Sequence, residues 1–161
     1  MKKILASFIL TALAPITTFA ISLSDLTNNP DQYTKVHQND YTTVYVDNES
    51  IKVVKDESPD YTIRGIVFLC DNKKQTIAEF DETTDFHVSY EEDKHDPNTI
   101  RKLIGITPKH ASQNNAWTFS GENLTERITK FDMKYIYGRD LGLASLYWFK
   151  KYFDDSIEIP D

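Results

Sequence analysis

The chain of 161 residues holds one cysteine and five glycines, and its eighteen Lys and Arg are outnumbered by twenty-five Asp and Glu. A lone Cys70 forbids an intramolecular disulfide, so stability has to come from a packed core. It sits in the apolar run IVFLC, which favours burial over an intermolecular bridge. The scarcity of glycine excludes phosphate-cradling loops: there is no G-x-G, no P-loop and no G-x-S-x-G elbow. Zinc-type H-E-x-x-H spacing and the calcium loop with its glycine are also missing. The deficit of positive charge, a formal net −7, repels phosphate backbones and makes nucleic acid a poor partner.

Long apolar runs are scarce as well. The first twenty residues, MKKILASFILTALAPITTFA, carry Lys2 and Lys3, then a short apolar stretch, then Pro15 and the small-residue end Thr18-Phe19-Ala20. That order is the layout of a secretory signal peptide cut after Ala20. The competing reading, a membrane anchor, asks for an apolar run of about 20 residues. No cysteine near the cut offers a lipidation site, so the exported protein is expected to be periplasmic or secreted to the surface without a lipid anchor. The domain organisation expected is a signal peptide over residues 1–20 and one domain over 21–161, with no transmembrane segment after cleavage. Loss of the two lysines takes the formal charge to −9.

What the sequence does have is short runs rich in Val, Ile, Thr and aromatics. ISLSDLTNNP reads as a short capped helical turn, with Ser24 or Asp25 as its cap. From Tyr33 onward YTKVHQ, YTTVYV, IKVVK, YTIRGIVFLC, QTIAEF and DFHVSYE are separated by polar breaks at 38–40, 47–50, 58–60, 71–74 and 81–84. Such spacing predicts an antiparallel meander. Residues 91–115 read as a long polar surface loop with a short helix at 99–104, and AWTFSG as one returning strand. Over 124–137 the apolar spacing fits a helix, while the β-formers leave a strand open. Leu141–Phe153 is a clearer helix capped by Asp140. The fold class expected is α+β: a curved antiparallel sheet of about five to seven strands packed by a C-terminal helix.

YVDNESIKV, Tyr45–Val53, is the best-marked local feature, read as two strand ends around a tight turn in which Asp47 and Ser50 satisfy the backbone. A Tyr-Val-Asp-x-x-Ser-Ile hairpin early in a small exported protein resembles the surface-adhesin protein E-like family. The matching residues are Tyr45, Val46, Asp47, Ser50 and Ile51, with Cys70-Asp71 as a further correspondence. The resemblance implies a small antiparallel sheet crossed by a C-terminal helix, and binding to host or surface macromolecules without catalysis.

Two functions therefore stand side by side. One is an exported, non-enzymatic binding module with a protein partner and no cofactor, whose contact surface is the aromatic helix face of Tyr147, Trp148 and Tyr152. The same aromatics could instead be core, and the oligomeric state is open. The other is a small periplasmic hydrolase or metal-dependent protein centred on His87–Asp96. There His87, Glu91, Glu92, Asp93, His95 and Asp96 form the densest titratable cluster, although a solvated charged loop has the same composition.

Overall fold

The computed structural model describes residues 20–92, 94, 98–126 and 140–157. A short helix α1 (Leu23–Asn28) leads into five strands, β1 (Tyr33–Gln38), β2 (Thr42–Glu57), β3 (Asp60–Asp71), β4 (Thr76–Glu92) and β5 (Ile100–Thr118). A second helix, α2 (Asp140–Tyr152), follows. The strands pair in the order β1-β2-β3-β4-β5, each antiparallel to the next. The α+β class with a C-terminal helix on an antiparallel sheet is as the sequence predicts.

Alternation sorts the sheet into two buried faces. Val44, Val46, Val67, Phe80 and Phe86 point to one side, where α2 supplies Leu141, Ala144, Trp148 and Phe149. Tyr45, Phe68, Cys70, Ile77 and Trp117 point to the other, where Ile21 and Leu26 of the α1 region cover them. Cys70 is thus buried and free, and burial pushes its thiol up to about 12. α1 is capped by Ser22 rather than by Ser24 or Asp25. The Ser22 hydroxyl accepts from the Asp25 N–H while the Asp25 carboxylate accepts from the Ser22 N–H at 2.8 Å, a reciprocal capping box.

Three local expectations are corrected. The predicted turn at 47–50 is a bulge inside β2, which pairs with β3 on both sides of it, from Thr42 to Asp47 and again from Lys52 to Glu57. Two-residue hairpins ask for left-handed backbone, and among the described residues only Gln75 and Gly121 have positive φ. The break at 81–84 is likewise continuous β4, paired residue by residue with β3. The loop expected over 91–115, and the short helix at 99–104, are mostly strand β5, whose ladder to β4 runs from Ile100 to Thr118. Its register shifts opposite Thr83 and Thr84, where Pro108 sits, the bulge position a strand proline tolerates. The helix-or-strand choice over 124–137 lies mostly outside the described residues. The reversals at 58–60 and 71–74 are turns: Asp60 opens β3, and the Asp71 carboxylate accepts from the Lys73 and Lys74 N–H groups.

Candidate functional site

The two faces differ in how completely they are closed. On the α2 side, Trp148 is 0 % exposed and lies over Gly65, the one place on β3 without a side chain in its way. A Cβ at Gly65 would stand 2.9 Å from the indole. Trp148 is core, not part of a contact patch, because the helix turns it directly onto the sheet. Tyr147 is half-buried, and its hydroxyl donates to Asn48 Oδ1 at 3.1 Å. Of the three aromatics expected at a binding surface, Tyr152 alone is largely exposed, at 41 %.

Asn48 explains the bulge. Its Oδ1 accepts from Tyr147 and from Lys151 Nζ, while its Nδ2 donates to the Asp31 carbonyl and to Thr34 Oγ1. The extra residues in β2 thus push one amide outward to join α2, β1 and the segment before β1. Asp47 and Ser50 keep their turn-like bonds within it: Asp47 Oδ1 accepts from the Glu49 N–H, and Ser50 Oγ donates to the Asp47 carbonyl and accepts from the Ile66 N–H.

Also on the α2 side, Glu82 is fully buried. Its Oε1 accepts from Thr84 Oγ1 at 2.8 Å and from Ser145 Oγ at 3.0 Å, and Oε2 has no partner among the described residues. Burial pushes its carboxyl up to about 7, against the lowering effect of those two hydroxyls. The group is sealed between sheet and helix, out of reach of a substrate. No sequence motif marked it, since D-E-T-T reads as a turn.

Among the described residues the α1 side has two recesses. Towards the β2–β3 turn lies a groove of about 400 Å³ lined by Lys55, Asp60, Thr62, Asp85, His87 and Lys109 among others. Its charges are paired across strands. His87 Nδ1 meets Asp60 Oδ1 at 2.7 Å, Lys55 lies 3.6 Å from Asp60, and Lys109 lies 3.0 Å from Asp85. The hydrogen bond from His87 holds the Asp60 carboxyl below its usual range. Asp85 is also lowered; burial opposes this, but the hydrogen bonds from Lys109 and Thr62 prevail. At the other end, beside α1, a larger cavity of about 590 Å³ has Tyr33, Phe68 and Trp117 in its floor and Asp25, Asp47 and Glu79 in its wall.

Of the cluster expected at 87–96, the structure places His87 in the groove, but Glu91 and Glu92 continue β4 as exposed residues. Asp93, His95 and Asp96 lie outside the described residues. Among the described residues no group of three or more His, Cys, Asp or Glu is placed to hold a metal ion. His87 and Asp60 form an acid–imidazole pair, yet neither serine nor cysteine lines the groove around them. Among the described residues no helix is long and apolar enough to cross a membrane. No family model, no curated protein and no solved structure matches the chain.

Proposed function

We propose that this is an exported, non-enzymatic binding module whose recognition surface is the α1 side of the sheet. The observation that carries this reading is the asymmetry of closure. Among the described residues α2 and its aromatics cover the centre of one face, while the other face holds two recesses, one rich in paired charges and one aromatic and acidic. Recesses with a few convergent polar groups on a rigid sheet are where ligands are held. The partner class is a protein or other macromolecule of the envelope or of a host surface, as the likeness to the protein E-like family suggests. The basic-then-apolar first twenty residues support export, and the imidazole–carboxylate pair serves the rim of the groove rather than a reaction.

Two measurements test this. The mass of the protein recovered outside the cytoplasm should correspond to Ile21–Asp161. Capture of envelope or host-surface macromolecules should fall when Lys55 and Lys109 are both changed to Glu, and should survive Tyr152→Ala. Capture lost with Tyr152→Ala and kept with the double charge reversal would put recognition on the helix side instead.

A further inference from the structure

We infer that the cavity beside α1 is an internal site for the chain's own N-terminus. When the leader is removed after Ala20, the new α-ammonium of Ile21 becomes the cation that Asp25, Asp47 and Glu79 face, and processing completes the fold. The inference rests on the export reading proposed above, because cleavage at that bond creates the charge.

Ile21 is already seated in the uncut chain. It is 8 % exposed and packs with Leu26 on the α1 side of the sheet. Ile21 stands immediately before the Ser22 cap and Leu26 is the fourth residue of α1, the spacing of a hydrophobic staple. The segment is held by residues that cleavage leaves in place: the Leu23 N–H donates to the Phe119 carbonyl at 3.0 Å. Among the described residues the Ile21 N–H donates to no acceptor, so the cut costs that group no hydrogen bond. Ala20 and Ile21 both line the cavity, and Ala20 is exposed. The cut therefore opens on solvent, and the new ammonium keeps part of its hydration while it faces the carboxylates.

The charges around that position are all of one sign. The Ser22 N–H donates to Asp25 Oδ2 at 2.8 Å. Consecutive backbone nitrogens lie within about 3.7 Å, so the Ile21 nitrogen is at most about 6.5 Å from that carboxylate. An opposite charge on this scale favours the ammonium form. Asp47 and Glu79 line the same cavity, and no Lys, Arg or His does. The Tyr33 hydroxyl, raised first by burial, is raised further by Asp47, Asp25, Glu49 and Glu79, so four carboxylates from α1, β2 and β4 reach one region. β3 and β5 bring Ile66, Phe68 and Trp117 to the cavity, none of which titrates. Asp25, Asp47 and Glu79 have no ion-pair partner among the described residues, whereas Asp60 and Asp85 in the neighbouring groove each face a cation. The positive end of α1 opposes an ammonium, but the Asp25 carboxylate stands across that end. In the uncut chain a neutral amide occupies the Ile21 position and the carboxylates repel one another. Cleavage sets an attraction against that repulsion.

The test is a pH titration of the Ile21 α-amine in the exported protein, followed through its carbon-13 Cα resonance after isoleucine labelling. The expected midpoint is about one pH unit above the ordinary 7.7–8.0 of an α-amine. It should return towards that range when Asp47→Asn and Glu79→Gln are combined, since both keep the hydrogen-bond acceptors and remove charge. Because the folded value is raised, the stabilisation is fully present below about pH 7.7 and is lost as pH rises through the folded value. Carbamylation confined to the α-amine removes the charge and leaves the sequence intact. It should lower the melting temperature by roughly 3 °C at pH 6 and by less at pH 10. Glu82 titrates alike in both forms and cancels in that difference. An exported protein that begins at Ile21, yet titrates in the ordinary range or melts unchanged after carbamylation, would overturn this inference alone. One that begins at another residue would overturn the cleavage reading and this inference together. A raised midpoint that survives the double substitution would remove the site from this cavity.

Discussion

Glu82 is the residue at which pH acts on the fold. Its carboxyl is raised in the folded protein from 4.5 to about 7, while in the unfolded chain it titrates at the usual value. The folded state therefore holds its proton more tightly. Stability is fully present below pH 4.5, falls as pH rises from there to about 7, and levels off beyond it. Shifts of this size correspond to about 3 kcal/mol. Asp60, Asp81 and Asp85 are shifted the opposite way and act below the ordinary carboxylate range, outside that window. Thermal melting at pH 5 and pH 8 should show a clear loss in the native protein and little loss in Glu82→Gln, whose amide still accepts from Ser145 and Thr84. Parallel losses in both would mean that another group titrates. Gly65 sets a second residue-scale limit. Gly65→Ala forces its Cβ to 2.9 Å from the body of a fully buried indole, and should cost about 1–3 kcal/mol in urea unfolding.

Among the elements, β2 departs furthest from expectation and has the clearest reason to. Its sequence YVDNESIKV has the polar centre of a turn but no glycine for the left-handed backbone a tight hairpin needs, and that shortage is the sign of a bulge. The bulge projects Asn48 onto α2 and β1. Asn48→Ala removes bonds to Tyr147, Lys151, Thr34 and the Asp31 carbonyl at once. It should cost about 1–3 kcal/mol and speed hydrogen exchange in α2 more than in β3 and β4. Uniform acceleration across the sheet would argue against a local clamp. The same reasoning shows what sequence could and could not reveal. The apolar strand β3 and the helix α2 are legible because their period is unbroken. β4 reads as two strands because Glu82 and Thr84 put polar atoms at inward positions of its alternation. β5 reads as a loop because most of its residues are exposed or half-exposed on both faces, which leaves no period of two to read. The cavity beside α1 is not legible for another reason: Asp25, Tyr33, Asp47, Phe68, Glu79 and Trp117 come from six separate elements, α1 and the five strands. Only the pairing of β1 through β5 brings them together.

For the whole molecule, the proposed binding role rests on which side of one sheet carries the recesses. A C-terminal helix locked down by Trp148, by the Ser145–Glu82 bond and by Asn48 makes the α2 side a structural face. Thr42 adds to this by donating to Asp140 at the start of α2, at 2.9 Å. The α1 side keeps the groove, the cavity and most of the cross-strand ion pairs, Arg64 with Asp81 among them. The chain is acidic overall, with lysines at one end of this side and, among the described residues, carboxylates without ion-pair partners at the other, a distribution that would favour partners of complementary charge. The most direct test places a photoreactive amino acid at one position per face in the producing cell: at exposed Thr107 beside the groove, and at Tyr152 on α2. Cross-linking of a specific macromolecule from position 107 and none from 152 is the result expected. Cross-links from 152 alone would contradict the assignment of the α1 side as the binding face.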